Sequence, residues 1–242
     1  MATVFISDLH LSDKRSDASR LFEQFAQSVG RRAEAIYILG DLFDAWIGDD
    51  VSPRFVTQEL DALRELTGRG IPVYVMPGNR DFLMAEGFEA ATGCQLIEDP
   101  MLLNLYGTRT VLTHGDALCT QDVEYQALRS QVRDPAWQRA FLAAPPQTRI
   151  ATAQNLRDES IRRTGEKEAY IMDVTREAVE ALMREYDARW MVHGHTHRPA
   201  VHELVLDGTT ATRYVLGDWH HKADILVCEP GNCRLETLSL SR

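Results

Sequence analysis

Seven side chains able to hold metal ions recur along the chain in five short clusters: Asp8-x-His10, Gly40-Asp41, Gly78-Asn79, His114, and Gly194-His195-x-His197. Two carboxylates, one amide and four imidazoles make a mixed oxygen and nitrogen set without thiolate, which suits Mn, Fe or Zn rather than Ca or Mg. Asp8 and His10 stand two residues apart, so an extended chain turns both to one face. Asp41 offers a carboxylate able to bridge two cations, Asn79 a neutral carbonyl oxygen, and the histidines neutral imidazoles. Two cations a few ångströms apart would turn a water into hydroxide and clamp phosphate oxygens through an in-line displacement. A lone DxH or GD pair is common by chance. Five clusters in order, each beside a glycine or a turn, are not.

Each cluster needs an element to position it, and each follows a short apolar run. Residues 3–7, 35–39, 72–76, 110–113 and 189–192 read as strands buried on both faces. Residues 18–29 predict a helix with Leu21, Phe22, Phe25 and Val29 on one face and Gly30 as its stop. A second helix opens at Pro53, turns Phe55, Val56, Leu60, Leu63 and Leu66 inward, and closes at Gly70. Such alternation means a layered α/β fold, in which ligands gather at the strand ends. In the C-terminal third, 201–206 with 212–216 and 225–229 with 234–240 predict two hairpins, expected to form one antiparallel sheet.

Spacing suggests an insertion. Asp8 to Asp41, Asp41 to Asn79 and Asn79 to His114 are 33, 38 and 35 residues, about one βα unit each, whereas His114 to His195 is 81. The excess falls in 121–168, where helical patterns over 122–133, 135–143 and 148–163 replace strands. The expectation is a core over 1–120 and 169–242 with a helical cap over 121–168. That segment holds eight Lys/Arg against seven Asp/Glu, in a chain of net charge −10. A less acidic cap over a metal site suits an anionic substrate.

The overall charge argues against a general nucleic-acid binder. The four cysteines, at 94, 119, 228 and 233, form no CxxC or zinc-finger pattern, and read as buried or free thiols of a reducing compartment. No apolar run approaches the roughly 20 residues of a membrane span, and the N-terminus reads as a strand rather than a leader. A cytoplasmic protein is expected, with peripheral membrane contact left open.

With Gly40-Asp41-x-x-Asp44, Gly78-Asn79, His114-Gly115-Asp116 and the GH-x-H run in this order, the chain resembles the calcineurin-like metallophosphoesterases over nearly its whole length outside 121–168. The resemblance implies a four-layer αββα sandwich. It implies Asp41 bridging two metals, with Asp8, His10 and His197 completing one site and Asn79, His114 and His195 the other. Many members follow GN with a histidine that acts on the leaving group, and this chain has Arg80 there. Arginine cannot give up a proton near neutral pH, so it is no general acid. It can hold a phosphate oxygen and stabilise accumulating negative charge. A leaving group that is already an anion needs no proton, so GNRD points to a pyrophosphate bond. The competing reading is that Arg80 pairs with Asp81 or Glu86.

More specific runs are FISDLHLS (5–12), ILGDLFDAWIGDD (38–50), MPGNRDFL (76–83), LTHGD (112–116), RRTGEKEAYIMDV (162–174) and VHGHTHRPAVH (192–202). They are similar to the family of UDP-2,3-diacylglucosamine pyrophosphatases of lipid A synthesis. That resemblance implies two Mn²⁺ ions and work at the cytoplasmic face of the bacterial inner membrane. It implies attack of metal-bound hydroxide on the UMP-side phosphorus, releasing UMP and 2,3-diacylglucosamine 1-phosphate. Asp41, Asn79, Arg80, His114 and His195 would be catalytic. Asn79, Arg80, Asp122, Arg157, Ser160, Thr164, Lys167 and His195 would hold the glucosamine and phosphates, and four of these recur at helical spacing on 121–168.

Trp46, Phe82, Leu83, Trp137, Phe141 and Leu142 read as an acyl-chain slot between cap and core. A monomer with such a cap reaches lipid at the membrane surface without a span. Asp44, Asp81, Asp116 and His193 are expected to orient the ligands, while Asp218, His220, His221 and His202 are expected to stand outside the chemistry. Two alternatives stay open: a phosphoesterase of soluble nucleotides or phosphodiesters, and a non-catalytic interaction module, which should have lost ligands.

Overall fold

Strand alternation decides how this chain layers. A computed structural model describes residues 2–13, 16–166 and 171–240. In β1 (Thr3–Ile6), β2 (Ala35–Leu39) and β3 (Val73–Met76), successive side chains point to opposite faces and nearly all are buried. One face, with Val4, Ile6, Ile36, Ile38, Val73 and Val75, packs beneath two helices, α1 (Ser16–Gln27) and α2 (Thr57–Gly68), through Leu21, Phe22, Phe25, Leu60 and Leu63. The other face, with Phe5, Tyr37, Leu39 and Met76, meets Leu112, Val192, Tyr214 and Leu216 of a second sheet. The far side of that second sheet, through Val111 and Met191, buries Val179 and Met183 of a helix, α7 (Arg176–Glu185). Helix, sheet, sheet and helix thus stack as the expected αββα sandwich.

The first sheet runs β11 (Asn232–Ser239), β10 (Lys222–Glu229), β1, β2, β3 and β4 (Gln95–Leu96). β1, β2 and β3 are parallel, with Thr3 opposite Ala35 and Ile36 opposite Val73. The second runs β5 (Met101–Leu105), β6 (Thr108–Leu112), β7 (Trp190–His193), β9 (Thr209–Val215) and β8 (Ala200–Leu206). After β3 comes α3 (Glu86–Thr92). Between β6 and β7, ahead of α7, lie α4 (Val123–Val132), α5 (Pro135–Ala143) and α6 (Pro146–Glu166). Asp122 caps α4 by accepting from Tyr125 N, and Asp134 caps α5 with Pro135 at its first turn.

Four expectations change. The two C-terminal hairpins do not share a sheet: β9 pairs parallel with β7, while β10 pairs antiparallel with β1. Each hairpin finds the edge whose apolar face it extends. Phe55, expected inward, is 48% exposed, because Ser52–Phe55 forms a 3₁₀ turn and α2 begins only at Thr57. The thiols are not all free: β10 and β11 set Cys228 directly opposite Cys233, and the two form a disulfide, whereas Cys94 and Cys119 stay buried and free. Finally, α3, α7, β4 and β5 had not been anticipated. Lys167 lies outside the described residues, as does the side chain of Thr164.

Candidate active site

The loops that follow β1 and β2 are zipped together: Asp8 N donates to Gly40 O at 3.1 Å and His10 N to Asp41 O at 2.9 Å. Their backbone is unusual. Asp8, His10, Asp41, His195 and His197 all have φ between 50° and 66°, a left-handed conformation that costs a non-glycine residue of order 1 kcal/mol or more. Five of the seven expected ligands therefore sit in strained turns, each aiming its side chain off a strand end. Neighbouring glycines make this possible by being small. A Cβ on Gly78 would lie 2.2 Å from an Asp41 carboxylate oxygen, and one on Gly194 2.2 Å from Asp8 Oδ2.

The side chains converge as two groups. His114 Nε2 and His195 Nδ1 lie 2.9 and 3.0 Å from Asn79 Oδ1, and His114 Nε2 is 3.7 Å from Asp41 Oδ1. His197 Nε2 lies 3.3 Å from Asp8 Oδ1 and 3.4 Å from His10 Nε2, while His10 Nδ1 is 3.9 Å from Asp41 Oδ2. Asp8, Asp41 and His114 also bring ligand atoms within 4.8 Å of one another. All seven expected ligands therefore face one locus.

Electrostatics test whether metal ions suit it. Burial pushes the Asp41 carboxyl up to about 7, with the Asp81 and Asp8 charges adding to it against His114. Burial disfavours a charged His114, but the Asp41, Asp8 and Asp116 carboxylates hold it up at about 9. Burial and then the His114 charge press His195 down to about 4. Buried carboxylates crowded by each other and faced by imidazole nitrogens are a donor set that divalent cations would neutralise, and the residues fit such ions.

Of the four residues expected to orient the ligands, Asp81, Asp116 and His193 are buried beside the cluster. Asp81 is fully buried and accepts from Gly78 N at 2.7 Å and Phe43 N at 3.1 Å, which pins the Asn79 loop to the Asp41 loop. Asp116 accepts from the Tyr125 hydroxyl and Arg129 Nε, both at 2.8 Å, and the Tyr125 ring lies 5.7 Å from that of His195. His193, pressed down to about 3 by burial and then Arg213, stays neutral, donating to Gly194 O and accepting from Arg213. Asp44 differs: it turns to Arg157 of α6. His114 donates Nδ1–H to Leu39 O at 2.9 Å, leaving Nε2 for the site. Asp218 stands nearer than expected, 3.7 Å from His197 Nδ1.

Arg80 is half-buried. Its N–H donates to Asp41 Oδ1 at 2.8 Å, and among the described residues its guanidinium pairs with no carboxylate; Asp81 has its own partners. From Asn79, Arg80 and Tyr125 a cavity of about 310 Å³ runs between the core and α4–α6. Trp46, Phe82, Leu83, Trp137 and Phe141 line it as expected, Trp137 and Phe141 stacking at 5.0 Å. Leu142 does not line it and is 40% exposed. Arg157 and Ser160 reach the cavity, whereas Asp122 caps α4 instead. Ile47, Val56, Ile150 and Ala153 are also among its walls. Sequence reading missed them, although Ile150 and Ala153 stand three apart on the face of a predicted helix.

Comparison with known proteins agrees with this geometry. The family model described as calcineurin-like phosphoesterase matches residues 1–199. The chain is 44% identical over 241 residues to a protein of Aeromonas hydrophila named UDP-2,3-diacylglucosamine hydrolase, covering 99% of this chain and 100% of that one. It is 48% identical over 219 residues to the protein of the same name from Chromohalobacter salexigens, covering 90% and 89%. Among solved structures, wild-type Vps29 complexed with zinc from Entamoeba histolytica superposes with a TM-score of 0.50 at 14% identity over 99% of each chain, a likeness of fold.

Proposed function

The chain belongs to the calcineurin-like phosphoesterases, with UDP-2,3-diacylglucosamine hydrolases as its relatives, and we propose that it hydrolyses the pyrophosphate of UDP-2,3-diacylglucosamine to UMP and 2,3-diacylglucosamine 1-phosphate. One observation carries this reading: an apolar, aromatic-walled cavity begins at Asn79 and Arg80, beside the ligand cluster. Acyl chains would fill such a cavity through its depth, whereas a soluble nucleotide offers its walls only a base.

Two Mn²⁺ ions, held by Asp8, His10, Asp41 and His197 and by Asn79, His114 and His195, would withdraw charge from phosphate oxygens and acidify a water. The protein's own groups do the rest. Asp41 would serve both positions, and its carboxylate accepts from Arg80 N. The Arg80 guanidinium, which pairs with no carboxylate among the described residues, binds the pyrophosphate and stabilises charge as the bond breaks. The departing lipid phosphate is an anion, so no proton donor is required on that side. Ser160 and Arg157 reach the sugar end from α6, within a helical cap over 121–168.

No described helix is long and apolar enough to cross a membrane, and a monomer working peripherally at the cytoplasmic face of the inner membrane fits a lipid-linked substrate.

The test is an assay on UDP-2,3-diacylglucosamine in ¹⁸O water, after chelation and with Mn²⁺ restored. UMP and the lipid phosphate should appear together, only with the metal, and UMP should carry the label. Label confined to the lipid phosphate would reverse the phosphorus attacked, and equal turnover of UDP-glucose would favour a soluble-nucleotide phosphoesterase.

A further inference from the structure

Among the described residues, Arg149 is the one lysine or arginine that is buried, at 2% exposure. It projects from α6 into the loop after β2. There its Nη1 donates to Ile47 O at 2.7 Å and Asp50 Oδ1 at 2.8 Å, and its Nη2 donates to Asp50 Oδ2. The loop is shaped for it. Gly48 has φ +121°, and a Cβ there would lie 2.5 Å from Arg149 Nη1 and 2.9 Å from Leu142 Cδ2. The same loop is stiffened from within, Ile47 N donating to Ser52 Oγ at 2.7 Å and Trp46 Nε1 to Asp49 at 2.8 Å.

Enclosing a guanidinium is costly, and here Nε finds no partner. The catalytic cluster makes no use of this residue, and it does not line the cavity. Its position does matter for the cavity. Ile47, whose carbonyl it binds, and Ile150, its own neighbour, are both walls of that space, one from the core and one from α6. Through its bidentate, planar hold on Asp50 and its single bond to Ile47 O, Arg149 ties the α6 wall to the core wall.

We propose that Arg149 is a positioning residue that fixes the width of the cavity and thereby its discrimination among acyl chains. The inference rests on the reading of the cavity as the acyl site. Wild type, Arg149→Met, Arg149→Lys and Asp50→Asn are compared on UDP-diacylglucosamine with long and with shortened acyl chains, in Mn²⁺. Arg149→Met should raise KM for the long-chain substrate about tenfold and for the short-chain one much less, with kcat kept. Arg149→Lys should restore part of the difference. Equal KM increases on both substrates, or a fall in kcat at constant KM, overturns the proposal. Should Arg149→Met fail to fold by circular dichroism, Asp50→Asn, which alters a side chain 63% exposed, decides on the same comparison. A wild type indifferent to chain length would overturn the acyl-site reading itself, before any variant is considered.

Discussion

Arg157 of α6 closes an ion pair with Asp44, the last residue of Gly40-Asp41-Leu42-Phe43-Asp44, so the helix that walls the cavity is tied to the loop that presents Asp41. The two sides are unequal: the Asp44 side chain is 13% exposed and Arg157 42%. Removing the arginine strands a nearly buried carboxylate, whereas removing the carboxylate leaves a cation that water can reach. Arg157→Ala should therefore destabilise more than Asp44→Ala, by roughly 1–3 kcal/mol, and the double variant should cost less than the sum. Urea unfolding of the four proteins measures this, and strict additivity would deny the coupling.

Arg80 offers a cleaner separation of roles. Among the described residues its guanidinium pairs with no carboxylate, and its backbone N–H donates to Asp41. Arg80→Ala should lower kcat by about 10² to 10³ while bound metal, measured by elemental analysis, stays at the wild-type level. Arg80→Lys keeps the charge but not the paired donors, so it should recover only part of the rate. Metal lost in parallel with activity would make Arg80 a structural residue.

The cluster of candidate ligands was legible in the sequence because strand ends announce themselves: an apolar run stops and Asp8, Asp41 or His114 follows. The left-handed backbone of five of them was not, because glycine advertises that conformation far more strongly than the aspartates and histidines that adopt it here. The division of the hairpins between two sheets was equally hidden. Locally β8–β9 and β10–β11 look alike, and only distant partners, β7 for one and β1 for the other, tell them apart. α7 did carry a signal, with Thr175 as its cap and Val179 and Met183 four apart on its buried face. Arg149 carried none, since its burial depends on Gly48 and Asp50 a hundred residues away in the chain.

The thiols give a count. Burial pushes Cys94 up to about 11 and Cys119 to about 12, so neither forms appreciable thiolate at pH 8. Native protein should show almost no reaction with a disulfide reagent at that pH. Unfolded without reductant it should show two thiols, Cys94 and Cys119, and after reduction the two of Cys228 and Cys233 as well. Four thiols before reduction would mean that the β10–β11 bridge does not form in solution.

Glycine substitutions separate crowding at the site from ordinary helix propensity. A Cβ on Gly78 would lie 2.2 Å from Asp41 Oδ1 and 2.3 Å from Asp41 N. Backbone cannot swing aside as a side chain does, so the Asp41 loop must shift and carry its carboxylate with it. At Gly68, on the last turn of α2, a Cβ meets nothing within 4 Å. Gly78→Ala should therefore lose bound metal and most of its turnover, approaching Asp41→Ala, in which the shared carboxylate itself is gone and activity should vanish. Gly68→Ala should leave both untouched and raise stability by up to about 1 kcal/mol. Metal content, turnover and thermal melting of the three variants check it together. Full metal and full activity in Gly78→Ala would show that Asp41 need not stand where it does.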